Sequence, residues 1–71
     1  MKKKLKMNNI DCAHCAMEME EAIRKIDGVK TANINFMLQK LTIEADDDKF
    51  ESILEQARKA VKNVDEEAVI L

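Results

Sequence analysis

Val29-Lys30-Thr31-Ala32-Asn33-Ile34-Asn35-Phe36, then Met37-Leu38-Gln39, then Lys40-Leu41-Thr42-Ile43-Glu44-Ala45 is the stretch from which the fold follows. Val29, Ile34 and Phe36, with either Ala32 or Thr31, alternate with polar residues, and Leu41 and Ile43 repeat the pattern. Alternation with a period of two marks strands that bury one face. Two such runs separated by Met37-Leu38-Gln39 read as a β-hairpin over residues 29–36 and 40–45.

On the N-terminal side, residues 13–26 carry Ala16, Met19, Ala22, Ile23 and Ile26 at intervals of three and four. Glu18, Glu20, Glu21, Arg24 and Lys25 fill the other positions, which predicts an amphipathic helix. Asp27-Gly28 ends it, because glycine tolerates the left-handed backbone of a tight turn. On the C-terminal side, Phe50, Ile53, Leu54, Ala57 and Val61 form the stripe of a second helix over about residues 47–61. Asp46, Asp47 and Asp48 are expected to supply a capping side chain and negative charge at its start. Residues 3–8, with Leu5 and Met7 on one face, form a first strand. Residues 64–71 form the last, with Ala68 and Ile70, or Val69 and Leu71, turned inward.

The order β-α-β-β-α-β predicts an α+β, ferredoxin-like fold with a four-stranded antiparallel sheet and two helices on one face. The first strand then lies between the third and the last. The loop after it lies at the sheet edge, near the loop that enters the last strand.

A chain of 71 residues has room for one domain, residues 1–71. With 46% hydrophobic and 37% charged residues it has the apolar content to fold. A net charge of −2 and only two phenylalanines argue against nucleic-acid binding. Lys2, Lys3, Lys4 and Lys6 read as a solvated strand end or as a docking surface for an acidic partner. No apolar run approaches the roughly 20 residues that span a bilayer, so no direct membrane insertion is expected. Polar residues follow Met1-Lys2-Lys3-Lys4 where a signal peptide would be apolar. The chain therefore reads as a soluble, cytoplasmic monomer, and in that reducing setting a single Cys-x-x-Cys is metal-binding or redox-active.

The pair lies in Asp11-Cys12-Ala13-His14-Cys15 and holds the only two cysteines. Two thiols at this spacing after a carboxylate suit a soft divalent ion. A helix N-terminus favours deprotonated sulfur, which is both a ligand and a nucleophile, so position alone does not separate metal binding from redox chemistry. A thioredoxin-type domain needs a longer chain and a cis-proline, and this sequence has no proline and no tryptophan. The polar loop of Asn8, Asn9, Asp11 and His14 is a poor place for buried structural thiols. His14 lies between the ligands and is expected to point away from an ion they share. Of the five methionines, Met7 and Met19 fit core faces, Met1 is terminal, Met37 lies in a turn and Met17 is near the cysteine loop. Core packing accounts for them better than a thioether copper site. There is no serine–histidine–acid set, and a single glycine excludes a phosphate-binding loop, so no catalytic site is expected.

Taken together, the DCAHC loop after a short first strand, the Glu-rich first helix, the Gly28-Val29 junction, the Ala32-Asn33-Ile34-Asn35-Phe36 strand and the second helix resemble the heavy-metal-associated domain. That family includes copper chaperones and the cytoplasmic N-terminal segments of metal-transporting P-type ATPases. Its copper(I) members typically have Gly-Met-Thr or Gly-Met-Ser before the first cysteine, where this chain has Asn9-Ile10-Asp11. The Asp-Cys-x-x-Cys form resembles that of the zinc-, cadmium- and lead-exporting ATPases. The resemblance implies Asp11 as a ligand beside Cys12 and Cys15, the alternative being a helix N-cap.

The resemblance also implies a further carboxylate from the loop before the last strand, where Asp65 is chosen among Asp65, Glu66 and Glu67; the alternative is a solvated acidic turn. Lys62 could be the lysine that copper members place near this loop. The implied function is reversible binding of Zn(II), Cd(II) or Pb(II) as the cytosolic N-terminal domain of an export ATPase. Its partners would be the membrane and soluble domains of that transporter. The alternatives are a free-standing copper(I) metallochaperone and a thiol-disulfide oxidoreductase.

Overall fold

The computed structural model describes residues Met1–Leu71. In chain order they form β1 (Lys2–Asn8), α1 (Ala13–Arg24), β2 (Val29–Asn35), β3 (Lys40–Ala45), a 3-10 turn (Asp47–Lys49), α2 (Phe50–Val64) and β4 (Val69–Ile70). The sheet has the strand order β2-β3-β1-β4, and every neighbouring pair is antiparallel. One cluster of 16 buried residues joins Met7, Ala32, Ile34, Leu41 and Ile43 of the sheet to Ala16, Met19 and Ile23 of α1 and Ile53, Ala57 and Val61 of α2. Both helices thus cover one face, and the ferredoxin-like α+β arrangement is as the sequence pattern predicts.

In β2, Val29 lies opposite Ala45 while Thr31 already lies opposite Glu44, so Lys30 is the extra residue of a β-bulge. The bulge shifts the alternation by one. Ala32, not Thr31, is therefore buried, and Val29 is only half-buried. The displaced Lys30 pairs with Asp46 at 3.4 Å.

Three helix boundaries differ from expectation, and β2 ends at Asn35, one residue before the expected Phe36. Helix α1 stops at Arg24, two residues short of the predicted end, and the Ile26 N–H reaches back to the Ile23 carbonyl in a tighter turn at 3.1 Å. Helix α2 begins at Phe50 with Lys49 at its N-cap and no side-chain capping bond. The expected aspartate cap is not formed, because residues 47–49 wind into the 3-10 turn and place their charges ahead of the helix. At its other end α2 runs to Val64, which shortens β4 to two residues. Ala68 and Ile70 are the inward pair, and Leu71 is exposed.

Strand β2 is a sheet edge, and edges need protection against pairing with other chains. Here α1 supplies it. The Ile34 N–H donates to Glu20 Oε2 at 2.9 Å, and Arg24 Nε donates to the Ala32 carbonyl at 3.0 Å. An ion pair of 2.7 Å joins Arg24 to Glu20. Two residues that the helical pattern assigns to solvent therefore cover the edge.

Gly28 closes the α1–β2 turn at φ +97°, and a Cβ there would lie 3.1 Å from Ile53 Cδ1. Gly28→Ala is expected to lower stability by about 1–2 kcal/mol, because an L side chain is strained at that φ. Urea denaturation should show a lower midpoint at an unchanged slope. No helix is long and apolar enough to cross a membrane.

Candidate metal centre

After β1 the chain turns at Asn9, whose φ of +66° is a left-handed conformation that asparagine tolerates better than most residues. Ile10 then anchors the loop by burying its side chain in the core. The next residues swing out: Asp11 is exposed and Cys12 half-buried. Cys12 is the N-cap of α1, and its Sγ accepts the Cys15 N–H at 3.1 Å while its carbonyl accepts the Ala16 N–H at 3.1 Å. The alternative role foreseen for Asp11, capping this helix, is thus taken by a sulfur. Asp11 makes no hydrogen bond or ion pair. The first turn of α1 contains no acidic residue, so no carboxylate there competes for the partial positive charge of its amide end.

Cys15 lies one turn further on, half-buried against the core. The sulfurs of Cys12 and Cys15 lie against each other, with the Cα atoms 5.3 Å apart. A separation that brings the two sulfurs together also lets both reach one ion once their protons have left.

Asp65 closes α2 as its C-cap, with its N–H on the Val61 carbonyl at 3.0 Å. Its Oδ1 accepts the Glu67 N–H at 3.0 Å, a local turn typical of aspartate. Asn9 Nδ2 donates to the Glu67 carbonyl at 3.2 Å, which ties the acidic turn to the cysteine loop at the sheet edge. The two loops are neighbours, as the topology predicts. The structure brings Cys12 and Cys15 together, but it gathers no set of three His, Cys, Asp or Glu side chains able to hold an ion. Neither Asp11 nor Asp65 is drawn into such a group.

His14 points into solvent and pairs with Glu18 at 3.0 Å, one turn along the exposed face of α1. Met7 and Met19 are fully buried in the core, while Met17 and Met37 are exposed. Lys62 is exposed in the last turn of α2.

One residue at this site has no counterpart in the sequence reading beyond its place in a turn. Gln39 adopts φ +53°. Its Oε1 accepts the Ile10 N–H at 3.0 Å, and its Nε2 donates to the Ile10 carbonyl at 3.1 Å and to the Phe36 carbonyl at 2.9 Å. Its own carbonyl accepts the Met7 N–H at 2.8 Å.

Residues 4–64 match the family model of the heavy-metal-associated domain. Over 55 residues the chain is 38% identical to the zinc/cadmium/lead-transporting P-type ATPase of Escherichia coli K12, covering 73% of this chain and 8% of that protein. Over 45 residues it is 33% identical to the copper chaperone CopZ of Staphylococcus aureus JH9, covering 63% of this chain and 66% of that one. Among solved structures, the N-terminal domain of ZntA in its apo form superposes with a TM-score of 0.75 at 28% identity, covering 99% of this chain and 88% of the other. The chain thus spans less than a tenth of the length of the transporter that it matches.

Proposed function

Because this chain belongs to the heavy-metal-associated domain family, we propose that it takes up a soft divalent ion, Zn(II), Cd(II) or Pb(II), reversibly between Cys12 and Cys15, with Asp11 as a third donor. In this reading it serves as the cytosolic N-terminal domain of a metal-exporting P-type ATPase, with that transporter's other domains as partners. The observation that carries the reading is the exposed Asp11 carboxylate, which has no hydrogen-bond or ion-pair partner while Cys12 Sγ caps the helix. Divalent zinc and its heavier congeners prefer about four donors and accept carboxylate oxygen. Asp65 supplies a further oxygen if the turn to Glu67 opens.

Metal is cargo here. Ion uptake displaces the protons of the two thiols, and the half-exposed site leaves room for an incoming ligand from a partner. An ion held by an incomplete donor set is transferred by ligand substitution, without release into water.

The test is an anaerobic Cd(II) titration of the chain reduced with a phosphine, following the thiolate-to-metal absorption band, with Zn(II) as competitor. A one-to-one endpoint is expected, and the unreduced disulfide form should give no band. Asp11→Ala is expected to weaken Zn(II) binding by about 10–100-fold and to leave Cu(I) binding nearly unchanged. Equal losses for both ions would remove Asp11 from the ligand set.

A copper(I) metallochaperone is the second reading. It draws support from the two sulfurs being the only candidate donors that the structure gathers, since Cu(I) is satisfied by soft thiolates. It predicts no Cd(II) endpoint that Zn(II) displaces. Thiol-disulfide exchange, which two adjacent sulfurs also permit, predicts insulin reduction by the dithiol form.

A further inference from the structure

We infer that Gln39 is a positioning residue for the metal loop: it holds Ile10, and through it the Asp11-Cys12 segment, in one conformation and so slows the escape of a bound ion. The inference rests on the metal reading above. Its basis is a side chain that does the work of a strand. Strand β1 ends at Asn8, which still pairs with Val69 of β4, and the loop beyond it has left the ladder. Ile10 is 5% exposed, so its peptide groups need partners. The primary amide of Gln39 carries one acceptor and one donor group, as a peptide does. It offers the acceptor to the Ile10 N–H at 3.0 Å and the donor to the Ile10 carbonyl at 3.1 Å. A third bond, to the Phe36 carbonyl at 2.9 Å, fixes the amide's own orientation.

The backbone of Gln39 is part of the same device. Its carbonyl takes the Met7 N–H at 2.8 Å, so one residue grips the chain on both sides of the left-handed turn at Asn9. To do so it adopts φ +53°, a conformation that is unfavourable for a residue with a Cβ and persists where surrounding contacts over-determine it. Asp11 and Cys12 follow Ile10 directly, and Cys12 Sγ is aimed by its bond from Cys15 N–H. A loop fixed at Ile10 presents Cys12 from a set position; a loop freed there lets Cys12 and Asp11 wander.

Two variants separate the side chain from the backbone. Gln39→Ala removes the amide and keeps the φ strain; Gln39→Gly removes the amide and relieves that strain. In the reduced, metal-free chain both should speed amide exchange at Ile10 by about tenfold or more relative to Leu41 and Ile43 of β3. Both should also release Cd(II) to a chelator about tenfold faster, in line with the usual effect of losing a residue that orients ligands. The glycine variant should keep a denaturation midpoint close to wild type, which a merely destabilised fold would not. Unchanged release rates would overturn the inference, as would exchange at Ile10 that rises only in step with the β3 amides. If the wild-type chain takes up no Cd(II) while Ile10 still loses protection in the variants, the proposed function fails and Gln39 is a backbone clamp with no role at a metal site.

Discussion

Cys12→Ser and Cys15→Ser are each expected to lower affinity for Cd(II) and Zn(II) by about 100-fold or more, and the double variant to show no thiolate-to-metal band. A zinc site with four protein donors binds with about 10–16 kcal/mol, so one donor accounts for roughly 2.5–4 kcal/mol, or two to three powers of ten. A serine hydroxyl stays protonated near neutral pH and does not replace it. The two positions differ in what else they do. Cys12 is the N-cap of α1, and serine is among the favoured N-caps, so Cys12→Ser should leave the helix start intact or slightly more stable. Loss of binding in a variant that melts at or above the wild-type temperature under reducing conditions cannot be blamed on unfolding. Retention of wild-type Cd(II) affinity by Cys12→Ser would sink the proposed function.

The cysteine pair was legible because two sulfurs at this spacing are chemically rare, and the family resemblance rests on the same loop. Asp11 was legible only as a choice between ligand and cap. Capping was its alternative role because aspartate is a strong N-cap type and cysteine is not, yet it is the Cys12 sulfur that accepts the Cys15 N–H. Gln39 carried no signal at all. A glutamine in a turn is unremarkable in sequence, and its bonds to Met7 and Ile10 exist only once β1 and the hairpin turn are side by side.

The fold was legible where periodicity was strong. The helix stripes and the strand alternation pick out most of the buried set, including Met7, Met19, Ile34, Ile43 and Ile53. The choice between Thr31 and Ala32 was not, because one extra residue at Lys30 changes the phase, and a bulge is a property of a strand pair, not of one strand. The role of Glu20 and Arg24 was missed for a related reason. A helical pattern marks charged positions as outward, but these two are held against the free edge of β2 by backbone groups that no other strand pairs. The short β4 reflects competition at one boundary: Val64 is apolar and suits either element, and α2 keeps it.

Ile43→Ala is expected to destabilise the reduced, metal-free chain by about 2–5 kcal/mol through lost burial and the cavity left behind. Ile43 is fully buried in β3, with Lys3 of β1 on one side and Ala32 of β2 on the other, so the cavity opens in the middle of the sheet where little can collapse into it. A domain of 71 residues has about 4–11 kcal/mol in total, so a large part of its stability is removed and much of it unfolds well below the wild-type temperature. An ion that binds only the folded state should then restore stability, by about 2.7 kcal/mol at a free concentration 100 times its dissociation constant. Circular-dichroism melts with and without Cd(II) would measure both effects. The control is the same substitution combined with Cys12→Ser: if the ion acts through the cysteine site, Cd(II) raises the melting temperature of Ile43→Ala and leaves the double variant where it was. An equal rise in both would mean that the ion stabilises the fold from somewhere other than the thiol pair, and a loss of less than about 1 kcal/mol in Ile43→Ala would mean that the centre of the sheet repacks more freely than its burial implies.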